Sequence, residues 1–336
     1  MGILRNPTAL LITKQGPLQL EEWEVHQSKT KKGDTFHAKT AMNAPGCDVG
    51  FWAGAEGDQL DVQLVINGVV LFDGSVDHAD VAWRETGVSF SGRDKGAKLI
   101  DKTSSEKFLN QKPGDIVQTY AKRHGLSAVV DTASDKAGKS FKDDWDSIAH
   151  RGSEWSHIQS LADHYGMNAY MTGGKIYFKD IDEDLPPFIV WYSPPTPASH
   201  ADGSFISLHT SRNMILSRPV KTNVRSHNHK EKKLISSQHS KGGSGDALVY
   251  NYVLPGLKKD QADRICKKRH HENTKHEFAV DVDLPGDETV NVRRSLQLQG
   301  TGTAFDQTYE IDGIEHRGSF GEGYRMRIAA KAGKGS

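Results

Sequence analysis

His271 and Glu272, followed by His276, carry the residue types of a zinc-protease helix, where two imidazoles grip the metal and the carboxylate activates water. That chemistry needs histidines four apart. These are five apart, which turns the second ring about 140° round a helix from the first. The motif is therefore rejected, and the segment reads as a polar helix end. His227, His229 and His239 lie close to one expected hairpin tip. They are a metal candidate whose plain alternative is an exposed polar turn. The glycine-rich stretches 92–98 and 300–303 fit neither a phosphate-binding loop nor a dinucleotide fingerprint, since neither follows a strand inside a βαβ unit. No Gly-x-Ser-x-Gly elbow is present. Glycoside hydrolysis would need two carboxylates facing each other across a cleft. Asp143, Asp144 and Asp146, and again Asp180, Asp182, Glu183 and Asp184, are neighbours in expected loops and read as solvated turns. Lys267, Lys268 and Arg269 form a basic helix face, a solvated surface or a candidate interface for an acidic or phosphate-bearing partner. The six tryptophans are dispersed, as core or subunit contacts would be.

The totals narrow the classes. The chain has 336 residues, enough for two or three domains with their own cores. Lys plus Arg equals Asp plus Glu at 43 each, so bulk charge gives no case for a dedicated nucleic-acid binder. Cys47 and Cys266 are too few for a disulfide framework and read as reduced thiols. Leu10-Leu11-Ile12 is too short for a secretory core, no run approaches a membrane span, and Asn6 breaks a myristoylation pattern. Synthesis and assembly in the cytoplasm are expected.

The elements that would position these residues are mostly strands. Residues 9–13, 23–26, 35–40, 60–66, 69–73, 75–83 and 87–92 alternate or run apolar, and Asn67-Gly68 predicts a two-residue hairpin turn. Two amphipathic helices follow, at 115–125 and 153–166, the second with Ser153 as N-cap and Gly166 at its end. A hairpin is expected over 168–178. Residues 182–203 hold five prolines and read as an extended linker, in which the apolar patch 188–192 is long enough to dock as an edge strand. Strands are expected at 205–212, 220–226, 233–238 and 248–253, then a helix over 258–273. Four alternating runs close the chain at 278–284, 295–299, 309–314 and 324–329, separated by Pro-Gly-Asp and Gly-rich turns. The fold expected is mainly β with an α+β insertion: a first antiparallel β-barrel over 1–101, an α+β domain over 102–182, the linker over 183–203, and a second barrel over 204–336 with the helix 258–273 inserted. Closure is expected because it removes exposed edges.

Several of these segments, in order, resemble the phage late control protein D family, the baseplate hub proteins of phage tails. The resemblance rests on Ser91-Gly92-Arg93-Asp94, then Pro113-Gly-Asp-Ile-Val117 with His124-Gly125, then 155–166 and Leu254-Pro-Gly-Leu257. It is carried furthest by Leu284-Pro285-Gly286-Asp287, Gly300, Gly302, Phe305, Asp306, Tyr309, His316 and Gly323-Tyr324. It runs over most of residues 1–330. It implies a non-enzymatic virion protein with two tail-tube-like barrels and no cofactor or metal. Three copies would form a ring that adapts a sixfold tail tube, or a distal tail protein, to a threefold spike. The channel would pass the tape-measure protein and then DNA. The same hub fold serves type VI secretion and other contractile injection machines, often fused to a β-helical spike; the ending at 331–336 implies a separate spike protein here. Asp306 and His316 are expected to be structural polar groups. Two readings from other classes stay open: a baseplate-associated cell-wall hydrolase using Asp144 or Glu154, and nucleic-acid binding through Lys267, Lys268 and Arg269.

Overall fold

In the computed structural model, alternation of apolar and polar residues becomes alternation of buried and outward side chains along nearly every long strand, as in Phe278–Pro285 and Glu22–Ser28. The structure describes residues 7–29, 33–104, 106, 108, 111–131, 152–180, 185–228, 233–243 and 245–333. Asp143, Asp144, Asp146, Asp182, Glu183, Asp184 and His229 therefore lie outside the described residues.

The first lobe holds β1 (Ala9–Thr13), β2 (Gly16–Gln19), β3 (Glu22–Ser28), β4 (Thr35–Ala41), a short helix α1 (Val49–Gly54), β5 (Asp61–Ile66), β6 (Val69–Ala82) and β7 (Gly87–Asp94). Asn67 and Gly68 both have positive φ, 51° and 84°, and join β5 to β6 through the expected two-residue turn. The runs 69–73 and 75–83, expected as separate strands, are one strand. A register shift between Val76 and His78 swaps the faces without ending the pairing with β7. The core of this lobe includes Leu11, Leu18, Val25, Phe36, Leu64, Phe72 and Phe90. Each such side chain contributes roughly 1.5–3 kcal/mol by leaving water.

The middle unit carries α2 (Ala97–Asp101), β8 (Thr103–Ser104), α3 (Pro113–Arg123), β9 (Ser127–Val130), β10 (Gly152–Ser153), α4 (Glu154–Tyr165), β11 (Asn168–Thr172) and β12 (Lys175–Lys179). Ser153 Oγ accepts from the Ser156 amide, and Gly166 ends α4 at φ 70°. Both helices turn apolar stripes onto the sheet β11-β12-β9, giving a second core around Tyr120, Trp155, Ile158 and Phe178.

The apolar patch in the proline-rich segment is β13 (Phe188–Ser193). It pairs in parallel with β20 (Ser295–Gln299) and buries Val190, so it is an integral strand. The two-residue β14 (Asp202–Gly203) flanks it, and β15 (Ser207–Arg212) follows. Strands β16 (Val220–Asn228), β17 (Lys233–Lys241) and β18 (Leu248–Val253) do not join the second lobe, as had been expected; they make a separate sheet, β17-β16-β18. Helix α5 (Lys259–Thr274) covers that sheet through Ala262, Ile265 and Cys266, packed on Val224 and Leu257. The insertion is thus a whole α/β unit, not a lone helix. It leaves and returns at one point, where the Asn213 amide donates to the Glu277 carbonyl. The second lobe is completed by β19 (Phe278–Pro285), β20, β21 (Thr308–Ser319) and β22 (Gly323–Ala332), around a core that includes Val282, Leu298, Ile311, Ile314 and Ile328.

The two lobes are joined in one 14-stranded sheet, where β21 pairs antiparallel with β3 from Gly313↔Ser28 to Ser319↔Glu22. Its path runs β14-β13-β20-β21-β3-β4-β7-β6-β5-β1-β2, with β22, β19 and β15 branching from β21. Among the described residues no ladder pairs β2 with β3 in the first lobe or β14 with β15 in the second, so closure of either lobe is not observed. β2, unforeseen in the sequence because Gly-Pro-Leu-Gln is too short to show a period, forms one end.

Close approach explains one motif glycine. A Cβ on Gly92 would sit 2.0 Å from the Ser75 carbonyl oxygen and 2.7 Å from the Phe36 ring. Neither the backbone nor a core aromatic can yield that distance cheaply. Gly92→Ala is expected to cost about 1–3 kcal/mol, measured as a lower urea midpoint than that of the parent chain.

Candidate functional site

The residues singled out in the sequence gather at three junctions. The first lies between the first lobe and the middle unit. Arg93 makes two-pronged contacts with Asp77 (2.6 and 3.2 Å) and with Asp101 (2.9 and 3.0 Å), and these paired carboxylates push its pKa up. It lines a cleft of about 450 Å³ with Asp58, Asp61, Lys98 and others. Asp94 is buried beside it; its Oδ1 accepts from the Gly96 amide and its Oδ2 has no hydrogen-bond partner. Asp34 is also buried. Its Oδ1 accepts from the Ser28 amide, while Oδ2 accepts from Thr172 Oγ1 at 2.9 Å and the Gly173 amide at 3.2 Å, tying the middle unit's β11–β12 hairpin to the lobe. Burial pushes Asp34 up to about 6. Burial, with the nearby Asp34 charge, pushes Asp94 up to about 7.

The second junction is the seam between the lobes. Tyr324 is fully buried between Trp23 of the first lobe, with ring centroids 5.1 Å apart, and Gly286, where an added Cβ would fall 2.1 Å from the ring. Its hydroxyl meets His316 Nδ1 at 2.9 Å. Burial lowers the His316 pKa to about 4, so the imidazole is neutral at physiological pH. Leu284 is buried in β19 just before this turn, Pro285 ends the strand, and Asp287 Oδ1 caps the turn by accepting from the Thr289 amide and hydroxyl. Gly318 also stacks on Trp23.

The third lies at the end of the second lobe. Gly300, at φ 94°, would place a Cβ 2.0 Å from the Tyr192 carbonyl oxygen of β13. Asp306 accepts from Thr301 Oγ1 and the Thr301 and Gly302 amides. These bonds to the charged form outweigh desolvation and hold its pKa down. Tyr309 Oη donates to the Phe305 carbonyl at 2.8 Å. The loop is a self-capped turn.

The basic helix face divides. Lys267 is exposed. Lys268 Nζ donates to the Met167 carbonyl at 2.6 Å and to Asp163 at 3.2 Å, and Arg269 reaches Asp163 at 3.8 Å while pairing with Glu272 of its own helix at 3.0 Å. Two of the three therefore hold the insertion against α4. His227 is exposed near the hairpin tip, and the His239 ring lies 6.1 Å from that of His270. Among the described residues, the one group of three side chains with metal-ligand spacing is elsewhere: Glu24, His26 and Glu315. Glu154, a catalytic candidate, is fully buried and ion-paired with Arg123 and with His124 at 2.6 Å. Asp144 lies outside the described residues. Cys47 and Cys266 are both free.

The sequence did not reveal the outward face that the seam creates. Residue-by-residue pairing aligns Ser207, Asp283, Arg327, Glu315, His26, Thr35, Arg93, Ser75 and Asp61 in one row across both lobes. None is buried and none is apolar. Direct contacts run along it, with Ser207 Oγ to Asp283 at 2.7 Å and Ser75 Oγ to Asp61 at 2.8 Å. Each strand shows alternation by itself, but only the register shows that the polar halves line up.

Neither a protein-family model nor a curated protein matches the sequence. The fold has clear relatives among solved structures. A tail protein from Neisseria meningitidis superposes with a TM-score of 0.74 at 12% identity, covering 97% of this chain and 96% of that one. A prophage MuSo2 43 kDa tail protein from Shewanella oneidensis gives 0.70 at 14% identity, covering 97% and 98%. A type VI secretion component of E. coli, itself structurally similar to the T4 tail proteins gp27 and gp5, gives 0.59 at 10% identity, covering 97% and 77%. The chain shares the fold of these tail and secretion proteins.

The buried carboxylate pair has a pH consequence. Both folded pKa values, about 6 and about 7, exceed the roughly 3.9 of an unfolded Asp. The stabilising contribution of the bound protons is thus complete below about pH 4 and is lost as pH rises to about 7. Asp94→Asn keeps an acceptor for Gly96 and removes the charge. It is expected to be more stable than the parent at pH 8 and to flatten the slope of unfolding free energy between pH 4 and 7, read by urea unfolding across that range.

Proposed function

We infer that this chain is a structural hub of a phage-type tail baseplate: three copies form a ring whose channel is lined by the continuous β face. The observation that carries this reading is the nine-residue polar row across the seam. A sheet that wraps a water-filled channel must turn a wet face inward over its whole width, without apolar breaks that would bind passing chain. The open sheet supports the ring. β2, β14 and β15 each leave an edge without a strand partner among the described residues, and natural sheets cover or blunt such edges. A neighbouring copy in a closed ring would cover them.

On this reading the two lobes present similar β surfaces to a sixfold tail tube or distal tail protein. The opposite side of the ring meets a threefold spike, and the tape-measure protein and then DNA pass through. The protein would reside in the virion tail after assembly in the host cytoplasm. The late control protein D resemblance and the fold shared with tail proteins from Neisseria meningitidis and Shewanella oneidensis point the same way. A hub in a type VI or other contractile injection apparatus is the second reading, favoured by the likeness to the E. coli secretion component. A hydrolase would need an exposed acid, whereas Glu154 is sealed under Arg123 and His124.

Native mass measurement and two-dimensional class averages, with the neighbouring tube and spike proteins present, should show a trimer with a central pore. A strictly monomeric particle in their presence would overturn the hub. Peptidoglycan clearing in a zymogram, abolished by Asp144→Asn or Glu154→Gln, would replace it with the hydrolase.

A further inference from the structure

The outward face of the seam holds a side-chain group that a purely structural role leaves unused. Glu24 and His26 are two apart on β3, so strand alternation sets them on one face. The register places Glu315 of β21 directly opposite His26. The ligand atoms of all three lie within 4.8 Å of one another, and His26 Nε2 already touches a Glu24 carboxylate oxygen. None of the three is buried, so solvent and solutes reach the group.

The charges do not balance internally. One imidazole, if protonated, offsets one of the two carboxylates. Two further cations border the group: Arg317, whose Nη1 stands 3.8 Å from Glu315 and whose register partner is Glu24, and Arg327, the register partner of Glu315 on β22, which pairs with Asp281 at 3.4 Å. Exposed contacts of such lengths contribute little. Two carboxylates and one imidazole that converge from adjacent strands have the donor types, number and spread to bind a dication of the zinc class, with one coordination position left open. Calcium prefers an all-oxygen shell of more ligands and is a poor match.

We propose that Glu24, His26 and Glu315 bind a single divalent cation of the zinc class, which clasps the two lobes at their shared seam. β3 belongs to the first lobe and β21 to the second, so each ligated ion cross-links the lobes where the sheet joins them. His37, opposite Glu24 on β4 and on the same face, is the residue placed to supply a further donor.

The test is titration of the untagged chain with Zn²⁺ by calorimetry, and with Co²⁺ by visible absorption, alongside thermal unfolding. The expected result is one saturable ion per chain and a Tm raised by roughly 2 °C or more at saturation. His26→Ala and Glu315→Gln should each weaken binding by about tenfold or more and abolish the Tm rise, while His239→Ala leaves both unchanged. All three positions are non-buried, and circular dichroism verifies that each variant folds. Ligation requires unprotonated donors, so affinity should fall as the solution is acidified. No saturable binding at millimolar zinc, or binding that survives His26→Ala and Glu315→Gln but falls with His239→Ala, would overturn the proposal.

Discussion

The antiparallel pairing of β21 with β3 is the constraint on which the rest depends. Without it the chain is two small β lobes, each with its own core, and a pair of α/β units at their sides. With it there is one sheet, one polar face and a fixed angle between the lobes. Register at such a seam is all-or-none, because a slip of β3 by one residue against β21 would turn Val25 outward and His26 inward. The buried cluster on the inner side defends that register. Tyr324 is gripped by Trp23 and Gly286, and its hydroxyl is fixed by a neutral His316. The Tyr324 packing and its hydrogen bond to His316 Nδ1 form only in the observed alignment, so together they specify the seam more than they add bulk stability.

The insertion and the middle unit brace this seam indirectly. Glu277 marks where the insertion rejoins the second lobe. It is almost fully buried, yet Arg212 from β15 and Lys241 from β17 both pair with it. Lys268 carries the brace onward to Asp163 and the Met167 carbonyl of the middle unit. The middle unit returns to the first lobe through Asp34, Thr172 and Gly173. The units thus form a closed circuit of contacts around an open sheet.

Much of this was legible in the sequence, and the misses have physical reasons. Alternation gave β3, β4, β7 and β19–β22, and Asn67-Gly68 gave its hairpin, because those signals are local. The helix α4 was readable from Ser153, its apolar stripe and Gly166. Closure was expected from the cost of free edges, yet that cost can be met by another chain as well as by the same one, and sequence does not distinguish the two. Strands β16–β18 look like lobe strands because period two reports a half-buried face and says nothing of which element covers it; α5 does. Gly286, His316 and Tyr324 stood out singly, but their meeting with Trp23 is long-range. Lys268 and Arg269 looked like a solvent-facing basic patch because their partner Asp163 lies about a hundred residues away in sequence.

The balance of charge along the polar row bears on what the surface is for. Asp283, Arg327, Glu315, Arg93 and Asp61 alternate in sign, with Ser207, His26, Thr35 and Ser75 between and beside them. A nucleic-acid-binding face would instead accumulate Lys and Arg, and counterion release would make each added contact strengthen the hold. A strongly acidic face would repel the same polyanion. Asp283, Arg327 and Glu315 alternate on consecutive strands, about 4.8 Å apart, so their fields largely cancel within a Debye length, about 8 Å at physiological ionic strength, while Arg93 and Asp61 stand further along the row. On the proposed hub reading, a polymer passing beyond that distance would meet a hydrated wall of little net field. On the same reading, neutral composition over the whole chain, which argued at first only against a DNA-binding protein, is the property that a channel wall would require.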